Sequence, residues 1–155
     1  MNLMYEAKEE LKRADHLLYV SLKYTRTVDV LKSIVERLIS GLDIAISCLL
    51  QEAKEKKLVK EIPPQAGPRA ELLRKIYKDA KIDEMIEFHM MLRKVSKAEY
   101  KRSHEFRRHV TMTAATDTGV VIINLEVIKE YYERSTGYVD YVNSILNPKK
   151  ENEAG

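Results

Sequence analysis

Residues 28–58 constrain this chain more than any other stretch. Leu31, Ile34, Val35, Leu38, Leu42, Ala45, Ile46, Leu49 and Leu50 recur at spacings of three and four, which puts them on one stripe of a helix. A helix this long with an unbroken apolar stripe must be covered by other helices, so the stretch predicts the centre of a bundle. Gly41 lies inside it, where glycine costs about 1 kcal/mol against alanine. Close approach of a neighbouring helix is the expected reason. Cys48 sits in Ile-Ala-Ile-Ser-Cys-Leu-Leu and reads as a core residue.

The rest of the pattern supplies the neighbours. Residues 2–23 place Leu3, Ala7, Leu11, Ala14, Leu18 and Leu22 on a second apolar stripe. Tyr24-Thr25-Arg26-Thr27 then interrupts with polar β-branched residues that favour caps. Residues 59–68 hold three of the four prolines and must form a loop, with Pro68 suited to open a short helix over 69–80. A fourth helix is expected over 83–112, with Asp79 or Asp83 as its N-cap. Residues 113–119 read as a polar turn and 120–123 as a lone extended strap. Asn124 is placed to cap a last helix over 125–146. Five glycines and four prolines in 155 residues are too few to turn a sandwich or a barrel. The expected fold is all-α: an up-and-down bundle of four long helices plus one short helix, one domain over 3–146 with a disordered tail over 147–155.

Composition narrows the function classes. Apolar residues make up 45% and charged residues 33%, enough for a core, and the net charge is only +3. The single cysteine excludes a disulfide framework and suits a reducing compartment. The opening residues have no apolar signal-peptide core and no run is long enough to span a bilayer, so a cytoplasmic protein without membrane attachment is expected.

Charge is concentrated in residues 93–109, RKVSKAEYKRSHEFRRH. This stretch has seven Lys or Arg against two Glu, while the remainder of the chain is slightly acidic. Such a patch suits an anionic partner such as RNA or a nucleotide; it is equally the pattern of a solvated helix face. His89, His104 and His109 lie in the same expected helix. His104 and His109, five residues apart, would stand about 140° apart on it and cannot share a metal. None of the four histidines follows a glutamate by three residues, as a di-iron bundle requires. The glycines are too scattered for a phosphate loop, so no metal or cofactor is expected. On the expected helix, Phe88, Leu92, Val95, Glu99, Arg102, Phe106 and His109 form one stripe, apolar at first and polar at its end. That end faces a groove, meets a partner chain, or frays into solvent, with His109 satisfied by a neighbour.

The run Arg102-Ser-His-Glu-Phe-Arg-Arg-His109 resembles the Arg-x(4–6)-His motif of the HEPN superfamily, and the order of helices resembles that family's bundle over most of the chain. It departs from the family at Ser103, where Asn, Asp or His is common. Active HEPN proteins are metal-independent endoribonucleases, often toxins or defence effectors. The resemblance implies attack of an RNA 2′-hydroxyl on the adjacent phosphate, leaving a 2′,3′-cyclic phosphate. His109 would be the general acid or base, Arg102 would hold the phosphate, and Lys97, Lys101, Arg107 and Arg108 would bind the RNA backbone. It also implies a homodimer. The alternative is an inactive helical module that binds a protein partner such as a nucleotidyltransferase antitoxin. Tyr131, Tyr132, Tyr138 and Tyr141 would then offer an interface, or else serve as mixed core and surface residues.

Overall fold

The computed structural model describes residues 3–148. Most of the expected tail therefore lies outside the described residues. Helix α1 comprises Leu3–His16, a π turn over Leu17–Ser21 and a last turn over Leu22–Tyr24. Helix α2 is Val28–Glu55, α3 is Ala66–Ile76, α4 is Ala80–Lys97 and α5 is Leu125–Leu146. Between α4 and α5 the chain forms three strands, β1 (Glu99–Ser103), β2 (Thr111–Thr116) and β3 (Gly119–Ile123). The fold is mainly helical with a small sheet.

Helix α2 is the centre of the helical part. Every residue of its expected stripe, from Leu31 to Leu50, is buried. A fully buried leucine or isoleucine contributes roughly 1.5–3 kcal/mol, so this stripe is the main source of cohesion. Helix α1 covers it with Ala7, Leu11, Ala14, Leu18 and Leu22, all buried. The two helices meet at Gly41, where an added Cβ would lie 3.5 Å from the Ala7 carbonyl oxygen and 3.5 Å from Leu11 Cδ2. The neighbour is there as expected, but at ordinary contact distance.

The caps follow from residue type. The Thr27 hydroxyl accepts from the Val30 N–H at the start of α2, Asp79 accepts from Lys81 and Ile82 at the start of α4, and Asn124 accepts from Val127 at the start of α5. The tyrosines of α5 belong largely to its seam with α4. The Tyr138 hydroxyl donates to Glu84 at 2.7 Å, that of Tyr141 to Asp79, and the Tyr131 ring meets Phe88 edge-on.

The sheet corrects the all-helical expectation. Helix α4 stops at Lys97, and Ala98 is already extended at ψ 155°. Continuing the helix would have turned Glu99 and Arg102 towards the core. A strand instead turns Tyr100 and Arg102 to the inner face and Glu99, Lys101 and Ser103 to the other. A half-buried aromatic ring then packs on the core in place of a carboxylate, with Arg102 exposed at the edge. Strand β1 pairs antiparallel with β2, Arg102 opposite Met112 and Ser103 opposite Thr111. Residues 120–123 are not a lone strap, because β3 pairs with β2, Met112 opposite Ile123 and Thr116 opposite Gly119. The expected polar turn over 113–119 shrinks to Asp117-Thr118, and Gly119 accepts a φ of 137° that side chains resist. Met112, Ala114 and Ile123 are fully buried on the inner face, joining the helical core.

Candidate functional site

The segment between β1 and β2, residues 104–110, ends the basic stretch with Arg107 and Arg108 and is held in a strained shape. His104 and Phe106 have positive φ values of 54° and 66°, left-handed conformations that cost a side-chain-bearing residue about 1 kcal/mol or more each. Three contacts to the junction of α1 and α2 hold that shape. The Phe106 N–H donates to the Arg26 carbonyl at 2.6 Å. The Glu105 carboxylate accepts from the Val28 N–H at 2.9 Å, satisfying a free donor at the positive end of α2. Arg102 reaches Asp29 at 2.8 Å and Glu105 at 3.5 Å. Val110, fully buried, anchors the far end.

Arg102 is thus committed within the fold. It also donates to the Tyr100 hydroxyl at 3.1 Å and lies 5.3 Å from the Tyr100 ring centroid. The hydrogen bond to Asp29, more than any other influence, holds its guanidinium above the ordinary arginine pKa. His109 stands elsewhere. With Arg108 and Thr111 it lines a cleft of about 350 Å³ whose other wall is Asn124, Leu125 and Glu126, the start of α5. The strand order is β1-β2-β3, so the central strand separates Arg102 from the residue that follows β3. Arg102 does not line this cleft. The two residues expected on one helical stripe therefore sit on a strand and in a loop, and point to different surroundings.

The four lysines and arginines expected to bind RNA are likewise dispersed. Lys97 ends α4 and lines a shallow hollow with Glu36, Ile39, Arg93 and Ser96. Lys101 is on the outer face of the sheet, opposite Thr113. Arg107 and Arg108 are in the loop, both exposed. Among the described residues none of these four, nor His109, has a carboxylate within 4 Å. Phe106, at 77% exposure, projects an aromatic ring beside them. Phe106 was legible only as a member of a stripe; the strained, pinned loop that displays it has no sequence signal. Arg26 lies in the polar interruption between two helices, where no spacing marks it.

His89, expected in the same helix as the other two, is the one that lies in α4, where it is fully buried. Its Nε2 lies 2.6 Å from Asp43 Oδ1 on α2. Burial, with a lesser contribution from Glu6, pushes the Cys48 thiol up to about 11, so that sulfur is a poor nucleophile near neutral pH. Among the described residues no three His, Cys, Asp or Glu side chains gather to hold a metal, and no helix is long and apolar enough to cross a membrane. Neither family models, nor curated proteins, nor solved structures match the chain.

Proposed function

We propose that this protein binds single-stranded RNA through the 104–110 loop and cleaves it without a metal, as a HEPN-like endoribonuclease of the toxin or defence type. The observation that carries the reading is the group of unpaired cations, Arg107 and Arg108, displayed with exposed Phe106 on a pinned loop beside His109 and a cleft. Exposed aromatic rings stack on bases and unpaired guanidinium groups take phosphates, a pairing that suits single strands. Lys101 and Lys97, which lie apart from the loop, would add general attraction for the RNA backbone.

In the cleft, the RNA 2′-hydroxyl attacks the adjacent phosphorus and the bond to the 5′-oxygen breaks. The hydroxyl proton passes to a base, and a proton is delivered to the departing oxygen. The products are a 2′,3′-cyclic phosphate and a 5′-hydroxyl. His109 carries one of these proton transfers, which typically contributes 10²–10⁴-fold. Arg108, free beside it, takes the phosphate-holding role that the motif gives to Arg102. Arg102, through Asp29 and Glu105, positions the loop. A homodimer would bring a second His109 to supply the other transfer.

The test is cleavage of RNA in EDTA by wild type, His109→Ala, Arg108→Ala and Arg102→Ala, with identification of the ends. Cyclic phosphate ends that vanish with His109→Ala and Arg108→Ala support the reading. An undiminished rate in His109→Ala sinks it. A second reading, an inactive module that binds a protein such as a nucleotidyltransferase, is favoured by the outer sheet face, where Val120 and Ile122 stand exposed on edge strand β3. Tight RNA binding by pure protein argues against that alternative.

A further inference from the structure

A second cleft, of about 230 Å³, adjoins the first, because Leu125 belongs to the wall of both. Its floor is apolar, made by Leu18 and Leu22 of α1 with Leu125, and Tyr19 stands beside it. Its rim is cationic: Lys23, Arg26 and Lys129 line it and no acidic residue does. Among the described residues none of the three cations has a carboxylate within 4 Å. Arg26 is half-buried, and its Nε is shut off from solvent without a hydrogen-bond partner. That buried N–H is closed to an anion as it is to water; what the cleft offers a ligand is the positive charge of Arg26 together with Lys23 and Lys129. The Tyr19 ring, held edge-on against Tyr132 at 6.3 Å between centroids, offers a fixed flat surface. Cations around an apolar floor beside an aromatic ring match a phosphate joined to a flat base. They do not match a purely apolar ligand or an inorganic anion, neither of which would use both parts.

Arg26 also ties this cleft to the first one, since its carbonyl holds the Phe106 amide at 2.6 Å. We propose that the Lys23–Arg26–Lys129 cleft is the subsite for the nucleotide next to the scissile phosphate. A single RNA strand then crosses Leu125 with one phosphate at Arg108 and the next at Arg26. This rests on the RNA reading above and adds to it a second grip, contributed by α1 and α5 rather than by the basic loop. The protein so built holds two consecutive nucleotides, and Arg26 acts on the substrate directly as well as through the loop.

Fluorescence anisotropy with a labelled 2′-O-methyl octauridylate, which cannot be cleaved, separates binding from chemistry. Arg26→Ala and Lys129→Ala are each expected to weaken binding about tenfold at low salt and to reduce its salt dependence by about one released ion. Lys75→Ala, which removes the same charge from exposed α3, is expected to leave binding unchanged. Lys129 is exposed on α5, so its variant carries the test even where Arg26→Ala disturbs folding. Wild-type affinity in Lys129→Ala and in folded Arg26→Ala, alongside weakened Arg108→Ala and Phe106→Ala, overturns the subsite and leaves the RNA reading intact. An equal loss in Lys75→Ala overturns it as well, since the effect would then be bulk charge. Failure of the wild type to bind the probe overturns both.

Discussion

Arg102 and His109 stand seven residues apart in one basic stretch, yet the two ends of that stretch have opposite fates. Arg102 is held by Asp29, Glu105 and Tyr100, so its charge is spent on shaping the loop. His109 and Arg108, at the other end, have no such partners among the described residues and line a cleft. A net charge of a segment does not distinguish these cases. What distinguishes them is whether the fold supplies a carboxylate, and here Asp29 comes from the start of α2 and reaches only one end. Tied groups maintain the structure; free ones are available to a ligand.

Among histidines the same contrast gives the largest expected effect on stability. His89 is the tied member, fully buried with its Nε2 against Asp43, while its Nδ1 has no partner. His89→Ala would leave a cavity and remove the close partner of Asp43, leaving it only Arg93 at 3.9 Å, a loss of about 2–4 kcal/mol. Urea denaturation is the measurement, and the folded variant should bind the octauridylate as the wild type does. A loss below about 1 kcal/mol, or a specific loss of RNA affinity, would erase the distinction between a structural His89 and a functional His109.

Glu105 lies between the two ends and shows what the tied side is for. Glu105→Ala removes the acceptor of the Val28 N–H and one of the two carboxylates around Arg102. The cap at the start of α2 is worth about 1 kcal/mol. The larger consequence should be local. Hydrogen exchange of the Phe106 amide, which donates to Arg26, is expected to speed up more than exchange in the middle of α2. Equal protection in the variant would mean that the loop keeps its shape without this network.

How much of this was legible in the sequence depends on the range of the interactions. The α2 stripe, the α1 stripe and the cap at Asn124 depend on residues within a few positions of one another and are readable, while the α4 cap is narrowed only to Asp79 or Asp83, of which the structure uses Asp79. The helix over 83–112 was misread after Val95 because Glu99, Arg102, Phe106 and His109 continue a helical spacing by coincidence. What overrides it is a partner strand, Thr111–Thr116, that itself needs β3 and the Asp117-Thr118 turn. The basic stretch was visible as composition, but its pinned loop was not, since the pins come from Arg26, Val28 and Asp29. Lys23 and Lys129 were invisible as a pair. They come from opposite ends of the chain, and no spacing rule relates them.

The smallest expected effect uses pH to read a tied carboxylate directly. Asp79 accepts from the Tyr141 hydroxyl and from the backbone amides of Ile82 and Lys81; the Tyr141 bond chiefly, then the amides, hold its carboxyl below the ordinary range. Because its folded pKa is depressed, the contribution is fully present above the unfolded value of about 3.9 and is lost as pH falls through the lower folded value. Asp79→Asn should therefore lower the urea midpoint at pH 7 and differ much less from the wild type at the lowest pH where both remain folded. The same difference at both pH values would show that Asp79 acts through its cap geometry alone, since asparagine can cap a helix without charge. Its charge would then not be tied in the sense that Arg102 is.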